Sequence, residues 1–382
     1  MEYDDTISCC ALNKIFGFKP MIALAMIEEL GSPSAVFSLE KKELDRILGP
    51  FIPQKELIND KTYCLAAEEL GNFKNGTYFI PWSSPVYPEL LKECQDAPLG
   101  LYVRSNCPPE TIFTGRQFIS IVGTRDISDY GKEWCSKTVC ALARTGCNPT
   151  IVSGLAIGTD ITAHREAMER GLPTIAVMAT GIDAVYPHRH TGDTEKIIST
   201  PGSALITDYP PGTAPLRVNF LRRNRIIAGI SESTIIIESK SKGGGMLTAR
   251  LAFSYSRDVY ALPGRAGDIR SAGCSILLRE KTAEPLISEE NLIRSLGMKY
   301  IAEDHTADSE QIIYSRYKGK TDRIEILTKI LRSVRRHKGI DIEELAEEHG
   351  LAYKEALENI AMLEADGFIK TDLMQRCYIR TK

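Results

Sequence analysis

The chain has 382 residues, of which 43% are hydrophobic and 25% are charged, and its formal net charge is −3 at pH 7. This is the composition of a globular protein with two or three domains, and the near-neutral charge excludes a surface that is basic throughout. No apolar run reaches the roughly 20 residues of a membrane helix. The acidic residues Glu2, Asp4 and Asp5 stand where a secretory signal would be basic.

Ten cysteines are scattered along the chain without a Cys-x-x-Cys pair. Cys9 and Cys10 are adjacent, and Cys135, Cys140 and Cys147 lack the spacing of metal ligands. This pattern favours free, buried thiols in a reducing compartment. We therefore expect a cytoplasmic protein that does not contact a membrane.

Residues 1–75 are predicted to form a helical domain. The run from Ala23 to Leu30 favours a helix that ends at Gly31, and Ser32-Pro33 begins another. The segment from Phe16 to Pro20 lies between two apolar helices, as the turn of a helix-hairpin-helix motif does. Lys19 occupies the usual second glycine position of that motif, so a plain helical accessory domain is the simpler interpretation.

Residues 76–295 are predicted to form an α/β domain. Short apolar, often β-branched runs alternate with amphipathic segments such as Asp129–Arg144, Thr159–Arg170 and Met246–Ser256. Apolar strands joined by helices predict a doubly wound parallel sheet that is covered on both faces. The predicted strands are Phe118–Val122, Thr150–Val152, Thr174–Met178, Ala204–Ile206, Thr234–Ile237 and Val259–Leu262.

Polar residues 296–318 lack periodicity and are predicted to be a linker. Residues 319–382 are then predicted to form a winged-helix domain. Its elements are the helices Ile342–His349 and Tyr353–Ala365 around Gly350, followed by a hairpin of residues 367–370 and 377–380.

The segment from 217 to 229 is the most informative part of the sequence. Four arginines fall within nine residues, accompanied by Phe220 and two amides. Arginine offers a planar donor fork that suits phosphate oxygens, and a neighbouring aromatic ring gives a base a surface for stacking. A solvated basic helix face is the alternative. The polar members are Arg217, Asn219, Arg222, Arg223, Asn224 and Arg225.

Four predicted strands end in loops that contain glycine. In a parallel sheet these loops share one edge, where glycine allows close approach to a ligand and helix N-termini attract anions. Together they predict an extended phosphate-binding groove. The loops are 123–125 (Gly123, Thr124, Arg125), 153–158 (which includes Ser153, Gly154 and Gly158), 179–181 (Ala179, Thr180, Gly181) and 240–245 (which includes Lys240, Lys242, Gly243, Gly244 and Gly245).

Signatures of other site types are missing from the sequence. It contains neither the dinucleotide-binding nor the Walker glycine pattern, and no nucleophile elbow. His188 and His190 have no evident third metal ligand. Asp160 and His164 are assigned to helix capping or packing, and Asp183 has no visible partner. We therefore predict no catalytic residue, metal or cofactor.

These motifs together resemble the DNA processing protein A family (DprA, also called Smf), from about Tyr87 to Gly273. The matching stretches are 87–91 (YPELL), 121–131 (IVGTRDISDYG), 153–164 (SGLAIGTDITAH), 180–187 (TGIDAVYP), 209–213 (YPPGT), 219–229 (NFLRRNRIIAG) and 262–264 (LPG).

The resemblance implies a non-enzymatic, cytoplasmic protein with an extended Rossmann-like domain that forms homodimers. It implies a protein that binds and protects incoming single-stranded DNA and helps to load the RecA recombinase during natural transformation. The implied strand-binding residues are Arg125 and the segment from Asn219 to Arg225.

The chain departs from the family pattern at three places. Leu221 replaces a frequent proline, which should leave the entry to the helix less rigid. Gly273-Cys274-Ser275 lacks an amide side chain, so a ligand contact there is in doubt. Asp96-Ala97-Pro98 replaces an aspartate-proline-proline motif, which we interpret as a structural change.

Three functional alternatives remain. One is a nucleotide hydrolase of the lysine-decarboxylase-like group, whose glycine-rich loop is similar, although Met246 to Arg250 supplies no glutamate. Another is an interaction scaffold whose arginines pair with acidic proteins. The third is duplex binding by the winged helix, which Glu355, Glu358 and Glu364 on its second helix disfavour; a protein contact suits them better.

Overall fold

The computed structural model describes residues 2–300, 312–337, 339–372 and 374–379. The chain divides into two compact units, Met1–Tyr300 and Ile301–Lys382. The predicted linker falls largely on residues 301–311, which lie outside the described residues. On either side of them, Met298 is buried in the larger unit and Ile313 in the smaller one.

The larger unit begins with five α-helices, in the segment that the sequence predicts to be helical. Asp4 caps the first by accepting hydrogen bonds from the amides of Thr6 and Ile7. The second ends at Gly31, where the sequence predicted its end. The helices are α1 (Asp5–Phe16), α2 (Pro20–Leu30), α3 (Pro33–Ser38), α4 (Lys41–Leu48) and α5 (Asp60–Gly71).

A nine-stranded sheet forms the centre of this unit, in the order β1-β2-β6-β5-β4-β3-β7-β8-β9. Strands β3 to β9 run parallel, whereas β1 and β2 pair antiparallel at one edge. The strands are β1 (Thr77–Pro81), β2 (Gly100–Arg104), β3 (Phe118–Val122), β4 (Thr150–Ser153), β5 (Thr174–Val177), β6 (Ala204–Thr207), β7 (Ser233–Ile236), β8 (Asp258–Ala261) and β9 (Glu284–Pro285).

Helices cover both faces of the sheet, which confirms the predicted fold class. Alternate residues of β3 enter different cores: Val122 packs with α11 and α12, whereas Ile119 and Ile121 pack with α8 and α9. The helices are α6 (Glu89–Lys92), α7 (Pro109–Phe113), α8 (Asp129–Ala143), α9 (Thr159–Glu169), α10 (Thr191–Ser199), α11 (Arg217–Ile230), α12 (Gly244–Ser254), α13 (Ala272–Arg279) and α14 (Glu289–Ser295).

The chain reverses its direction of winding at the central strand β3. Strands β4, β5 and β6 lie on one side of β3, and β7, β8 and β9 lie on the other. At such a point the loops after neighbouring strands diverge and leave a crevice at the carboxyl edge of the sheet. The topology therefore places a ligand site above the ends of β3, β4 and β7.

The described residues of the smaller unit form a helical segment at 312–316, three further helices and a three-stranded antiparallel sheet of order β10-β12-β11. The two predicted helices and the hairpin are confirmed, apart from Arg380, which lies outside the described residues. The winged-helix assignment stays a prediction. The elements are α15 (Thr321–Arg336), β10 (Ile340–Asp341), α16 (Ile342–His349), α17 (Tyr353–Ala365), β11 (Ile369–Thr371) and β12 (Arg376–Ile379).

All ten cysteines are free, and six of them are buried. Burial raises the pKa of the Cys9 thiol to about 11 and the pKa of the Cys274 thiol to about 12. Cys377, in the core of the smaller unit, has its pKa raised by burial to about 11. No helix in the described parts of the chain has the length and apolar character needed to cross a membrane.

Candidate nucleic-acid interface

A cleft of about 630 Å³ lies at the carboxyl edge of the sheet, where the topology places a ligand site. Its walls are the loop after β3, the loop between β7 and α12, and one face of α11. Of the fourteen predicted site residues, nine line it: Gly123, Thr124, Arg125, Phe220, Arg223, Asn224, Lys242, Gly243 and Gly244. Arg217 and Lys240 add two further basic side chains.

The N-terminus of α12 faces this cleft without a side-chain cap. Its N-cap residue is Gly243, and no side chain accepts a hydrogen bond from the first amides of the helix. The first amides of any α-helix lack partners within the helix and carry a partial positive charge. In α12 these amides are therefore available to an anion in the cleft.

The N-terminus of α8, on the same edge of the sheet, is satisfied by the protein itself. The Ser128 hydroxyl accepts a hydrogen bond from the Gly131 amide at 3.1 Å. The Glu238 carboxylate accepts from the Ser128 amide at 2.9 Å and from the Ser128 hydroxyl at 2.6 Å. The protein thus places its own carboxylate at α8 and leaves α12 open.

Gly244 has no packing reason to lack a side chain. A Cβ atom at this position would meet no heavy atom within 4 Å, whereas one at the preceding Gly243 would lie 2.6 Å from the Ser239 hydroxyl. Gly244 also has no positive φ angle. The empty space beside its backbone is consistent with close approach by a ligand.

Phe220 forms an aromatic and cationic cluster inside the cleft. The Arg125 guanidinium lies 5.6 Å from the centroid of the Phe220 ring, within the range of a cation–π contact. The Tyr186 ring meets Phe220 edge to face, with 5.5 Å between centroids. The cluster thus combines a partly exposed ring with a cation, which suits a base attached to a phosphate.

The four arginines of α11 lie in four different environments. Arg217 is exposed at the rim of the cleft. Arg222 points away from the cleft: it donates to the carbonyl oxygen of Gly17 and lies 4.1 Å from the centroid of the Phe18 ring. The turn of the N-terminal helical hairpin therefore holds Arg222.

Arg223 lies buried in the floor of the cleft. It donates to the carbonyl oxygens of Gly154 and Val177, and a Cβ atom on Gly154 would collide with its guanidinium. Burial lowers its pKa to about 10, so it stays charged at neutral pH. Among residues 2–300, no carboxylate forms an ion pair with Arg223. This cation therefore makes the floor of the cleft attractive to an anion.

Arg225 is buried away from the cleft, and its charge is neutralised within the protein. It pairs with the Asp208 carboxylate at 2.5 Å and donates to the carbonyl oxygen of Asp96. Burial opposes its charge, but Asp208 and Asp96 raise its pKa above the usual value. The structure does not bring Arg225 to the cleft, and it serves the fold there.

Asn219 and Ser153 are also bonded within the protein. Asn219 donates to the Ala214 carbonyl oxygen at 3.1 Å, and the Ser153 hydroxyl donates to the Ile121 carbonyl oxygen at 2.6 Å. Both side chains are buried. These two residues position the loops that border the cleft and do not line it.

Comparison with known proteins assigns the chain to a family. The model of the family described as DNA recombination-mediator protein A matches residues 78–297, which is more than half of the chain. The chain belongs to this family.

Curated relatives support the family assignment. A protein named Smf from Synechocystis is 37% identical over 224 residues, covering 59% of this chain and 55% of the relative. The DNA processing protein DprA of Bacillus subtilis is 34% identical over 223 residues, covering 58% and 72%. The match thus spans about half the length of the Smf relatives from Synechocystis and Escherichia coli.

Two solved structures share the fold. The DNA processing protein A of Streptococcus pneumoniae superimposes with a TM-score of 0.64 at 26% identity, covering 79% of this chain and all of that one. The protein of the same name from Helicobacter pylori gives a TM-score of 0.50 at 28% identity, covering 59% and 98%. The second structure is described as showing a unique single-stranded DNA binding mode.

Two acidic groups accompany the basic residues in the cleft of this family member. Asp126 is exposed and pairs with Arg270 at 3.4 Å. Asp160 is buried beneath the cleft, where burial raises its pKa in spite of the opposing effect of Arg223. Its carboxylate accepts a weak hydrogen bond from the Ala156 amide, in the loop before α9, at 3.3 Å, and Asp160 lies in the first turn of that helix, where the sequence predicts a helix-start carboxylate.

His164 lies in the core beside the second glycine loop. Burial lowers its pKa to about 3, so the ring is neutral at physiological pH. Its Nδ1 lies 2.7 Å from the Thr174 hydroxyl oxygen. This contact agrees with the packing role expected from the sequence.

The three segments that depart from the family pattern lie at the cleft wall, beside the loop that leads into α12, and in the buried part of the larger unit. Leu221 is 47% exposed on the cleft wall. The Gly273 amide donates to the Ser239 carbonyl oxygen at 2.7 Å, which ties the segment before Cys274 to the loop that leads into α12. Ala97, which stands in place of the first proline of the motif, is fully buried, and the neighbouring Asp96 carboxylate accepts a hydrogen bond from the Tyr255 hydroxyl at 2.7 Å.

Sequence reasoning missed one contributor to the cleft and one contact outside it. Lys240, which belongs to the predicted glycine-rich loop, lines the cleft, and so does Tyr186, which lies between β5 and α10 and was not assigned to the site. The contact between Phe18 and Arg222 joins residues about 200 positions apart, and no pattern in the sequence indicated it.

Proposed function

We propose that this cleft binds single-stranded DNA. The observation that carries the proposal is the uncapped N-terminus of α12, which faces a cleft lined by Arg125, Arg217, Lys240 and Lys242. The α12 amides and the basic side chains bind backbone phosphates of the strand, and one base stacks on Phe220.

The shape of the cleft favours a single strand over a duplex. A volume of about 630 Å³ holds a small ligand, roughly one or two nucleotides, and a base reaches Phe220 only when it is free of its pairing partner. Contacts to phosphates and a sequence-tolerant stacking platform predict little base preference. The binding mode attributed to the H. pylori relative supports the same ligand.

The wider role that we propose follows from family membership. The chain protects incoming single strands in the cytoplasm, acts as a homodimer and helps to load the RecA recombinase on them during transformation. A strand-exchange assay with RecA tests the loading role. Light scattering of the purified chain tests whether it is a homodimer. An unchanged rate of RecA nucleation in the presence of the protein would contradict the loading role.

Fluorescence anisotropy with a labelled thymine oligonucleotide, titrated at several salt concentrations against a duplex competitor, tests strand binding. We expect salt-sensitive binding that duplex DNA displaces poorly, because phosphate contacts release counterions. Absence of binding at low salt would overturn the proposal. Release of free base from nucleoside monophosphates would instead favour the nucleotide-hydrolase alternative.

Arg125→Glu assigns the binding to this cleft. The substitution reverses a charge next to Phe220, so we expect affinity to fall by at least about tenfold. Arg46→Glu makes the same change in net charge on the exposed surface of α4 and should leave the affinity nearly unchanged. Equal losses in both variants would mean that the effect is one of overall charge.

A further inference from the structure

The turn of the N-terminal hairpin carries an aromatic side chain that the cleft does not explain. Phe18 is 64% exposed, although phenylalanine is usually buried. Lys19 beside it is also exposed, and its charge takes part in no ion pair among the described residues. An exposed ring next to an unpaired cation is a combination found at nucleic-acid surfaces.

Two hydrogen bonds hold this turn against the rest of the larger unit. The Asn13 amide, near the end of α1, donates to the Asp208 carbonyl oxygen at 2.8 Å. From the other side, Arg222 donates to the carbonyl oxygen of Gly17. Because both bonds end on backbone atoms, they fix the position of Phe18 relative to α11.

Arg222 covers one face of the Phe18 ring and leaves much of the ring open. Its guanidinium lies 4.1 Å from the ring centroid and 5.8 Å from that of the buried Tyr209. Among residues 2–300, no carboxylate pairs with Arg222. The Phe18–Arg222 pair thus offers a stacking surface and a positive charge together.

Exposed residues on α11 connect the cleft with this pair. Arg217 and Leu221 line the cleft, and Val218 is exposed on the side of the helix towards Arg222. Val218 precedes Leu221 by three residues and Arg222 by four, so the three side chains are neighbours on the helix surface. A surface with apolar and basic side chains therefore runs from the cleft around α11 to Phe18.

We propose that Phe18 is a second stacking platform for single-stranded nucleic acid. The strand leaves the cleft near Arg217, crosses the exposed side of α11 and stacks an unpaired base on Phe18, while Arg222 and Lys19 hold its phosphates. This inference rests on the proposed function, because it extends the same strand beyond the cleft. It also gives the N-terminal helical domain a direct part in binding.

Oligonucleotides of two lengths distinguish binding at Phe220 in the cleft from binding at Phe18. A thymine dinucleotide occupies the cleft alone, because the cleft holds roughly one or two nucleotides, whereas an oligonucleotide of about twenty extends beyond the cleft to Phe18. For Phe18→Ala we expect an unchanged Kd for the short strand. For the long strand we expect Kd to rise about 5- to 150-fold, the range that the loss of one stacked base gives.

Phe51→Ala is the matched control, because Phe51 is a 93% exposed phenylalanine in the same helical domain. It should change neither Kd. In Phe18→Trp, the long strand should quench more tryptophan fluorescence than it does in the unsubstituted protein, and the short strand should not. This second variant retains the aromatic surface and reports stacking directly.

The outcomes distinguish the inference from the function on which it rests. If both strands bind and Phe18→Ala leaves both Kd values unchanged, the inference is overturned and strand binding in the cleft stands. Equal weakening of both strands would also overturn it, because the turn would then act by positioning α11. If the unsubstituted protein binds neither strand, the proposed function fails and the inference fails with it.

Discussion

Arg223 and Arg225 stand two residues apart on α11 and are both buried, yet the protein treats their charges differently. Arg225 has a carboxylate partner, Asp208, at 2.5 Å. Arg223 has two carbonyl oxygens, those of Gly154 and Val177, and no ion pair among residues 2–300. The carbonyl dipoles orient the Arg223 guanidinium, and the nearby Asp160 carboxylate, which forms no ion pair with it, offsets its charge only in part, so positive charge at Arg223 remains available to a ligand.

This difference separates an arginine that serves the fold from one that serves the cleft. Burying a charged group costs free energy. At Arg225 the ion pair with Asp208 offsets this cost within the protein, whereas at Arg223 a bound anion would offset the remaining cost. Substitutions of the neighbouring groups should therefore affect stability around Arg225 and binding around Arg223.

The largest expected effect is on stability, from Asp208→Asn. The amide keeps the shape of the side chain but leaves Arg225 as an unpaired buried cation. We expect the free energy of unfolding to fall by about 3–5 kcal/mol, measured by urea denaturation. A loss below about 1 kcal/mol, the size of a surface ion pair, would mean that the two arginines do not differ as the structure indicates.

Gly244→Ala should weaken strand binding about tenfold without destabilising the protein. The added methyl group meets no protein atom, but it occupies the space beside the α12 amides and would cost about one charge-assisted hydrogen bond to a phosphate. Anisotropy with the thymine oligonucleotide measures the affinity, and thermal unfolding measures the stability.

Gly192→Ala, in the first turn of α10, is the control for this substitution. A Cβ atom there also meets nothing within 4 Å, and α10 does not line the cleft. Both variants should gain up to about 1 kcal/mol of helix stability. Unchanged affinity in Gly244→Ala would show that phosphates do not approach this helix closely.

Asp160→Asn should have the smallest effect, tightening strand binding about fivefold at pH 7. Asp160 is among the residues that line the cleft, and a unit charge near a bound phosphate contributes on the order of 1 kcal/mol in a partly solvated site. Burial raises the pKa of Asp160, so the gain should shrink as the pH falls and the native carboxyl takes up its proton. If the gain in strand affinity does not depend on pH, it does not come from removing the negative charge of Asp160.

The raised pKa of Asp160 also makes the stability of the Asp160→Asn variant, relative to the unsubstituted protein, depend on pH. A carboxyl whose pKa rises on folding stabilises the protein fully below its unfolded pKa, roughly 4, and this contribution is lost as the pH rises through the folded pKa. At pH 7 the Asp160→Asn protein should therefore be at least as stable as the unsubstituted one. Its relative stability should decrease on acidification, which urea denaturation at several pH values would show.

Much of the fold could be predicted because its strands are short apolar runs that are buried on both faces. All six predicted strands occur within one or two residues of their predicted ends. Strands β1 and β2 were missed because they pair antiparallel and only the four-residue helix α6 lies between them, so they lack the strand–helix alternation that marks the parallel strands. Strand β9 has two residues and leaves no periodic signal.

The site was predictable in position but not in detail. The rule that ligands bind at the carboxyl ends of parallel strands identifies the loops at Gly123 and Gly243 from the order of elements alone. The sequence could not distinguish Arg223 from Arg225, since their environments depend on Asp208 and Gly154, which are distant in the chain. Nor could it place Arg222 against Phe18, because that contact requires the docked position of the N-terminal hairpin.

Buried cysteine thiols lie in three separate layers of the structure: the N-terminal helices, the helices beside the large sheet, and the sheet of the smaller unit. Each thiol can therefore report when its own layer opens. Cys9 belongs to the N-terminal helices, Cys274 to α13 beside the sheet, and Cys377 to the sheet of the smaller unit. Because burial keeps these thiols protonated and out of reach, an alkylating reagent modifies each one only when its own layer opens. Identifying the modified cysteines by mass would thus record the order in which the layers loosen, without any engineered label.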